Sequence, residues 1–190
     1  MSDREPTDSV RRPLRKSNGE IDYSALTVLV LDDNAFFGRL LQQIFRGFGT
    51  ESVSVTNNPE DALLLLATDR YHLVIADQMI GTHVGSDFIS RIRAAEGQPY
   101  QQIAVIMVSA HTDADNVRRM RDCGATEILA KPISPGGLLD RIELALKAPR
   151  AFVKGNVYRG PDRRRRIVTY DGEERRGDPA GQPDTPKDSS

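Results

Sequence analysis

Short apolar runs alternate with longer segments of helical periodicity between residues 26 and 147. The first run, residues 26–31, is continuous and partly β-branched, which is typical of a strand buried on both faces of a parallel sheet. A helix is predicted next, because Asn34 can cap its first turn and apolar residues then recur at helical spacing until Gly47. The same alternation predicts four more strands, at residues 51–55, 73–76, 103–108 and 127–130, and four more helices, at residues 59–67, 86–95, 113–123 and 135–147.

Five strands that alternate with five helices favour an α/β fold, a doubly wound parallel sheet of five strands flanked by five helices. Parallel neighbours need a crossover connection, and a helix usually provides it. In sheets of this kind, ligands bind beyond the carboxyl ends of the strands, near the point where the strand order reverses. Candidate functional residues are therefore expected at those strand ends.

Five polar residues fall at the predicted ends of four strands: Asp32, Asp33, Asp77, Ser109 and Lys131. Any one of them alone could be an ordinary polar loop residue, but all five at strand ends indicate a site. Carboxylates within a few ångströms of one another repel, so a divalent cation is expected to neutralise them. Hard oxygen ligands in small number suit Mg²⁺.

This set of groups has the chemistry of a phosphoryl acceptor. Phosphoryl transfer needs an in-line nucleophile and charge neutralisation more than it needs acid–base catalysis. Asp77 would supply the nucleophilic carboxylate. The metal ion, Lys131 and the Ser109 hydroxyl would each take one phosphoryl oxygen, and hydrolysis would later remove the group.

Composition divides the chain into four segments. Residues 1–22 are expected to be a disordered leader, residues 23–148 the folded domain, residues 149–178 an arginine-rich tail that is disordered or ordered by a ligand, and residues 179–190 a disordered C-terminus. Residues 21–148 carry 11 basic and 16 acidic side chains, whereas residues 149–190 carry 10 basic and 7 acidic ones. An acidic body with a basic tail suggests two roles.

Other features of the composition narrow the setting of the protein. No apolar run approaches the roughly 18 residues that a membrane-spanning helix needs, and the N-terminus lacks the apolar core of a signal peptide. Cys123 is the only cysteine, so no intrachain disulfide can form and a cytoplasmic location is expected. The sequence has no further catalytic constellation, so the chain is not expected to be an independent enzyme.

The strand-end motifs resemble those of response-regulator receiver domains, the family of the bacterial chemotaxis regulator. The resemblance covers roughly residues 24–148 and rests on Leu-Asp32-Asp33-Asn, Val-Ile-Ala-Asp77-Gln-Met, Val-Ser109-Ala-His and Ala-Lys131-Pro132, with Gly85 eight residues after Asp77. It implies a flavodoxin-like receiver fold with Asp77 as the phospho-acceptor. It also implies a Mg²⁺ ion held by Asp33 directly, by Asp32 partly through water, by Asp77, and by the backbone carbonyl of Met79.

The same resemblance implies signalling partners. A sensor histidine kinase or a phosphotransfer protein would supply the phosphoryl group. An output partner, for instance a flagellar motor switch, would bind the face formed by the fourth helix, the fifth strand and the fifth helix.

Two positions depart from the family pattern. Gly81 stands where a proline is common, so the loop after the acceptor is expected to be more mobile. Ile128 stands where the family usually has Tyr or Phe. Because an isoleucine cannot act as a rotating aromatic switch, the sequence leaves open how the phosphorylation signal spreads from the site.

The tail carries two arginine clusters, Arg163–Arg166 and Arg175–Arg176, with Tyr158 and Pro161 before the first. Guanidinium groups pair with phosphates, reach both acceptors on the guanine edge and stack on planar rings. Such a tail can grip a guanine nucleotide or a nucleic acid. The alternatives are a solvated tail that aids solubility, or one that binds an anionic membrane or another protein.

The spacing of this segment is similar to that of the arginine-rich C-terminal extension of chemotaxis-regulator-like cyclic di-GMP effectors of α-proteobacteria. The resemblance implies a dinucleotide site formed by Tyr158, Asp162, Arg163, Arg164, Arg165, Arg166, Arg175 and Arg176. The predicted function is therefore a stand-alone response regulator, phosphorylated on Asp77 with Mg²⁺, that also binds cyclic di-GMP. A DNA-acting transcription factor is disfavoured, because the 42 residues after the receiver cannot hold a helix-turn-helix domain.

Overall fold

The predicted alternation of strands and helices is present in the computed structural model, which describes residues 14–155 and 157–163. A short 3₁₀ helix, Tyr23–Ala25, precedes the first strand. The elements that follow are β1 (Thr27–Leu31), α1 (Ala35–Gly47), β2 (Ser52–Thr56), α2 (Pro59–Thr68), β3 (Leu73–Asp77), β4 (Met79–Ile80), β5 (His83–Val84), α3 (Gly85–Ala94), β6 (Ala104–Ser109), α4 (Ala114–Asp122), β7 (Glu127–Ala130), α5 (Pro135–Lys147), β8 (Phe152–Lys154) and β9 (Arg159–Pro161).

Five strands form one parallel sheet in the order β2-β1-β3-β6-β7. The chain first steps outward from β1 to β2 and then crosses back to β3 on the other side of β1, so the strand order reverses between β1 and β3. The register keeps the carboxyl ends level, because Leu31 pairs with Ala76 and Asp77 pairs with Val108. The predicted doubly wound α/β fold is confirmed.

Apolar side chains fill both faces of this sheet. One face packs against α1 and α5, and the other packs against α2, α3 and α4. The buried helix residues on the first face include Leu41, Phe45, Leu138 and Ile142, and those on the second include Leu66, Phe88, Ile89 and Met120. Removal of this apolar surface from water is the main force that holds the layers together.

Polar N-caps fix where four of the helices begin. The side chains of Asn34, Asn58, Asp113 and Ser134 each accept a hydrogen bond from a backbone N–H in the first turn. Two of these caps precede a proline, which suits the first helical position because its missing N–H would be unpaired there in any case. The helix starts predicted after Asn34 and at residues 59 and 135 therefore agree with the structure.

The segment before the first strand is ordered, contrary to the expectation of a disordered leader over residues 1–22. Arg15 and Ile21 form an antiparallel bridge, and Ile21 is buried in the core beside α1 and α5. The Arg15 guanidinium donates to the carbonyls of Leu146 and Lys147, which satisfies acceptors at the end of α5. The prediction is wrong for residues 14–22, and residues 1–13 lie outside the described part of the chain.

The first part of the tail is also ordered. Strands β8 and β9 pair as an antiparallel hairpin, which packs against α3. Arg150 anchors its base, donating to the backbone carbonyls of Thr126 and Asp162. The alternative that the tail is disordered is therefore wrong for residues 149–155 and 157–163, and ordering of the tail by a ligand stays a prediction. Residues 164–178 and the predicted disordered C-terminus at 179–190 lie outside the described residues.

Arg93 of α3 joins the hairpin to the domain. Its side chain is only 2% exposed; Nε donates to the Gly124 carbonyl at 3.0 Å, and Nη1 donates to the Gln101 carbonyl at 2.7 Å. The Phe152 ring of β8 covers the guanidinium, with its centroid 6.0 Å from Cζ. Burial lowers the pKa of Arg93 to about 10, which still leaves the group charged at neutral pH. The hairpin thus completes the cover of a buried cation.

Within residues 14–155 and 157–163, no helix is both long enough and apolar enough to cross a bilayer.

The hairpin docks through two glycines whose backbones touch. A Cβ added at Gly160 would lie 2.9 Å from Cα of Gly124 and 2.7 Å from the Tyr158 hydroxyl, closer than real Cβ contacts. We expect Gly160→Ala to lower the free energy of unfolding by about 1–3 kcal/mol, because the hairpin must shift to relieve the overlap. Amide hydrogen exchange at Gly155, whose N–H bonds the Tyr158 carbonyl at 2.9 Å, should accelerate.

The matched control is Gly136→Ala on α5, where an added Cβ meets nothing within 4 Å. That change should leave the hairpin amides protected. Equal exchange at Gly155 in the two variants would show that backbone contact between the glycines does not hold the hairpin.

Candidate functional site

Three carboxylates meet at the carboxyl edge of the sheet, where the strand order reverses. Asp32 and Asp33 directly follow β1, and Asp77 is the last residue of the neighbouring strand β3. Each offers an oxygen within 4.8 Å of the others. The Asp32 side chain is 1% exposed and that of Asp77 15% exposed, whereas Asp33 is exposed. The sequence prediction that these three residues converge is confirmed.

Lys131, one residue after β7, reaches across the edge to two of these carboxylates. Its Nζ lies 2.8 Å from Asp77 Oδ2 and 3.3 Å from Asp32 Oδ2, and it sits 4.2 Å from the centroid of the Phe37 ring. Burial acts to lower the pKa of Lys131, but the hydrogen bonds to the carboxylates and their charges outweigh it, so the pKa is raised. The lysine is therefore held as a cation.

Burial has the opposite consequence for Asp32. It raises the pKa of that carboxyl. The backbone N–H of Asn34, which donates to Asp32 Oδ1 at 2.7 Å, and the charge of Lys131 both act to lower the pKa, but burial outweighs them. One ammonium group thus faces three carboxylates, two of them largely shielded from water. A hard divalent cation such as Mg²⁺, which takes a few carboxylate oxygens and keeps several waters, fits this donor set.

The loop after Asp77 is shaped around the cluster. Strands β4 and β5 form a two-stranded antiparallel ribbon, which the sequence did not predict. Gly81 at its turn has φ of 57°, and its N–H donates to Asp33 Oδ2 at 2.8 Å. Gly85 must be glycine, because a Cβ there would lie 2.1 Å from the backbone oxygen of Asp77. Both glycines allow the chain to fold back against the carboxylates.

Ser109 ends β6 and is completely buried beside the acceptor strand. Its hydroxyl lies within hydrogen-bond distance of the Gln78 side chain and of the backbone of His111. Met79, predicted to offer its carbonyl to the metal, lies in β4 with its side chain exposed. Its role as a ligand remains a prediction.

Gln78 is a site residue that the sequence reasoning missed. Its N–H donates to Asp77 Oδ1 at 2.8 Å and to the Val108 carbonyl at 2.9 Å, so it helps to fix the acceptor carboxylate. A position directly after the acceptor was a possible signal, but a glutamine there has no chemistry of its own that would single it out.

The described residues of the predicted nucleotide site, Tyr158, Asp162 and Arg163, make contacts within the hairpin and with α4. The Tyr158 hydroxyl donates to the Pro161 carbonyl at 2.6 Å, and the Asp162 N–H donates to the Ala151 carbonyl at 2.7 Å. The Arg163 guanidinium lies 4.3 Å from the centroid of the Tyr158 ring and pairs with Asp122 at the end of α4. These contacts dock the hairpin, which is one physical reason for the Tyr-x-Gly-Pro-Asp-Arg spacing. The remaining members of the predicted site, Arg164, Arg165, Arg166, Arg175 and Arg176, lie outside the described residues.

A doubly wound parallel sheet with clustered carboxylates, a hydroxyl and a lysine at its carboxyl edge defines the receiver class of signalling domain. Residues 28–143 match the family model described as the response regulator receiver domain. The chain belongs to this family, whose members serve two-component signalling, exchange phosphoryl groups with histidine kinases or phosphotransfer proteins, and typically use Mg²⁺.

Curated relatives and solved structures agree with this assignment. The chain is 31% identical over 119 residues to the transcriptional regulatory protein PdtaR of Mycobacterium tuberculosis, covering 63% of this chain and 56% of that protein. It is 30% identical over 120 residues to the DNA-binding response regulator MtrA of Mycobacterium leprae, covering 63% and 51%. The match therefore spans about half the length of these relatives.

Among solved structures, the fold is similar to that of the chemotaxis protein CheY4 of Vibrio cholerae. The TM-score is 0.59 at 23% identity, over 64% of this chain and 98% of that one. A putative response regulator from Chloroflexus aurantiacus gives a TM-score of 0.58 at 25% identity, over 64% and 97%. The similarity to the chemotaxis protein concerns the fold alone.

We expect Lys131→Met to destabilise the metal-free protein by about 1–3 kcal/mol, less than a fully buried pair would cost because Lys131 is partly solvated. The physical reason is that Asp32 and Asp77 lose the ammonium group that partly offsets their repulsion. Urea unfolding in the presence of a chelator measures the change, and added Mg²⁺ should restore part of the loss.

Lys154→Met is the matched control, since Lys154 is an exposed residue of β8 far from the cluster in sequence. It should unfold like the wild type. If the two variants were equally stable, the view that Lys131 compensates the carboxylates would be wrong.

Proposed function

We propose that this chain is a response regulator that accepts a phosphoryl group on Asp77 and signals by binding a partner protein. The observation that carries the proposal is the position of Asp77, a partly exposed carboxylate within 4.8 Å of Asp32 and Asp33 and 2.8 Å from the Lys131 ammonium. Nucleophile and charge-neutralising groups are thus assembled at one point, which is what phosphoryl transfer requires.

Each side chain has a distinct part in this transfer. An oxygen of Asp77 attacks the phosphorus of a phosphohistidine, so a P–O bond forms while the P–N bond to the donor breaks. Lys131 exchanges its contact with Asp77 for a phosphoryl oxygen, and the Ser109 hydroxyl takes another. A Mg²⁺ ion bound to Asp33, Asp32, Asp77 and the Met79 carbonyl would supply charge neutralisation for the transferred group.

The donor in this proposal is a sensor histidine kinase or a phosphotransfer protein in the cytoplasm, and the chain acts as a stand-alone regulator rather than as an independent enzyme. The partial exposure of Asp77 supports a protein donor, because a phosphohistidine on a partner surface can then reach its carboxylate. The face of α4, β7 and α5 is the surface through which an output partner would bind.

A second candidate function is recognition of cyclic di-GMP by the arginine-rich tail. One observation favours it: Arg121, Arg141, Arg150 and Arg163 line a cavity of about 260 Å³ beside α4 and β7. The hairpin contributes Arg163 to this cavity, and the predicted arginine cluster continues directly from it. Cyclic di-GMP, with two guanine rings and two phosphodiester groups, would match these guanidinium donors by replacing their ion pairs with Glu127 and Asp122.

The acceptor assignment predicts that acetyl phosphate with Mg²⁺ modifies the wild-type chain and leaves Asp77→Asn unmodified. An amide at this position is a poor nucleophile, so the aspartyl phosphate cannot form. Intact-protein mass spectrometry or phosphate-affinity electrophoresis measures the product.

Asp69→Asn, a change at the exposed end of α2, is the control for a general loss of charge and should be phosphorylated like the wild type. Phosphate uptake by Asp77→Asn at the wild-type level would place the acceptor elsewhere.

For the tail, we expect the full chain to bind cyclic di-GMP at least tenfold more tightly than cyclic di-AMP at equal ionic strength. Arginine finds two acceptors on the guanine edge, whereas adenine presents a donor there. Isothermal titration measures both affinities, and added salt should weaken them, because phosphate contacts contribute.

A variant with Arg164, Arg165 and Arg166 changed to alanine should lose this binding, whereas Arg46→Ala at the end of α1 should retain it. Equal affinity for the two dinucleotides, or binding to neither, would return the tail to the alternatives of nucleic acid, membrane or protein binding.

A further inference from the structure

The buried Ser109 hydroxyl is already hydrogen-bonded to the side chain of Gln78, the residue that directly follows the phospho-acceptor Asp77. Its oxygen accepts from the His111 N–H at 2.8 Å, and its single proton is shared between Gln78 Oε1 and the His111 carbonyl at 2.7 Å. Since a hydroxyl carries only one proton, donation to a phosphoryl oxygen must withdraw it from these acceptors.

The same glutamine reaches the fourth helix with its other end. Gln78 Nε2 donates to Asn116 Oδ1 at 3.3 Å, in the first turn of α4. Asn116 is itself fixed, because its N–H donates to Asp113 Oδ1 at 3.0 Å and Arg119 donates to its Oδ1 at 2.6 Å. A continuous hydrogen-bonded path therefore runs from the Ser109 hydroxyl to the N-terminal turn of α4.

The backbone of Gln78 is held in place, so this residue can rearrange only through its side chain. Its backbone N–H bonds the Val108 carbonyl at 2.9 Å, and its backbone carbonyl accepts from the Gly85 N–H at 2.8 Å. The glutamine is thus held at its backbone while its amide group joins two elements. A change at Ser109 can then be taken up by rotation of that amide, while the backbone of Gln78 stays in place.

The position that would carry an aromatic switch offers no such path. Ile128 of β7 is half-buried and packs with Val117 against the apolar core of this face. It has no hydrogen-bonding group and no ring to rotate. The polar path through Gln78 is therefore a side-chain link from the acceptor site to the first turn of α4, beside the bonds from Ser109 to the His111 backbone.

We infer that Gln78 is a positioning residue that holds the Ser109 hydroxyl in the unphosphorylated protein and ties it to the first turn of α4. This inference rests on the proposed phosphorylation of Asp77. A phosphoryl oxygen is charged and is a stronger acceptor than an amide oxygen, so it draws the hydroxyl proton away from Gln78. The half-buried amide then loses its donor and reorients, which breaks its hydrogen bond to Asn116. Asn116 keeps its bonds to Asp113 and Arg119, but the first turn of α4 is no longer tied to the end of β3 and exchanges faster.

The test uses the full chain with Mg²⁺ and beryllium fluoride, a stable mimic of a phosphoryl group on a carboxylate. Gln78→Met keeps the length of the side chain but removes its hydrogen bonds. We expect this variant to bind beryllium fluoride about three- to tenfold more tightly, because the hydroxyl no longer has to leave the amide. Without fluoride, amide exchange at Asn116 and Val117 should already be as fast as in the fluoride-bound wild type.

Two further variants separate this role from a merely structural one. Gln102→Met, at an exposed position just before the opposite end of β6, should match the wild type in both measurements. Asn116→Ala cuts the path at its far end, so it should speed exchange in α4 while the affinity for beryllium fluoride changes less than in Gln78→Met.

The outcomes are distinguishable from failure of the proposed function. If the wild type binds the mimic but Gln78→Met shows wild-type affinity and wild-type exchange in α4, the positioning role is refuted. If the wild type does not bind the mimic, the acceptor assignment fails. The exchange comparison without fluoride then still decides whether Gln78 ties α4 to the end of β3.

Discussion

Repulsion among Asp32, Asp33 and Asp77 is the constraint on which the functional end of the domain depends. The strand order places these carboxylates together, and only Lys131 offsets them among the described side chains. Apolar packing on both faces of the sheet must supply the free energy that holds like charges this close. A cation that binds here relieves the repulsion, whereas an added phosphoryl group brings new negative charge and must recruit the nearby donors. The site therefore responds strongly to small changes in charge.

The opposite end of the domain is held by contacts that cross long stretches of sequence. The N-terminal segment is anchored to the last turn of α5 by Arg15, and the C-terminal hairpin is anchored by Arg150 and by the buried Arg93. The tail consequently leaves the domain at a fixed place, where Arg163 pairs with Asp122 at the end of α4.

The two ends of α4 thus have different polar attachments. Its first turn is connected to the acceptor strand through Gln78 and Asn116, and its last turn is connected to the tail through Asp122. A helix tied at both ends by hydrogen bonds and an ion pair, rather than by deep apolar packing, can shift at low cost. The described residues of α4 include a single buried side chain, Met120, which agrees with this view.

The sequence by itself determined the fold and the acceptor cluster, because both follow from local patterns. Alternating apolar runs and helical periods define the layers, and the carboxyl ends of parallel strands must meet, so Asp32, Asp77 and Lys131 could be placed together from their positions alone. The tertiary structure decided the features that no hydrophobic periodicity predicts. These are the order of residues 14–22, the docked hairpin and the Ser109–Gln78–Asn116 path. These depend on close glycine contact, a buried arginine and side-chain directions between residues some 30 or more positions apart. No local pattern encodes such contacts, since each partner alone is an ordinary polar or small residue.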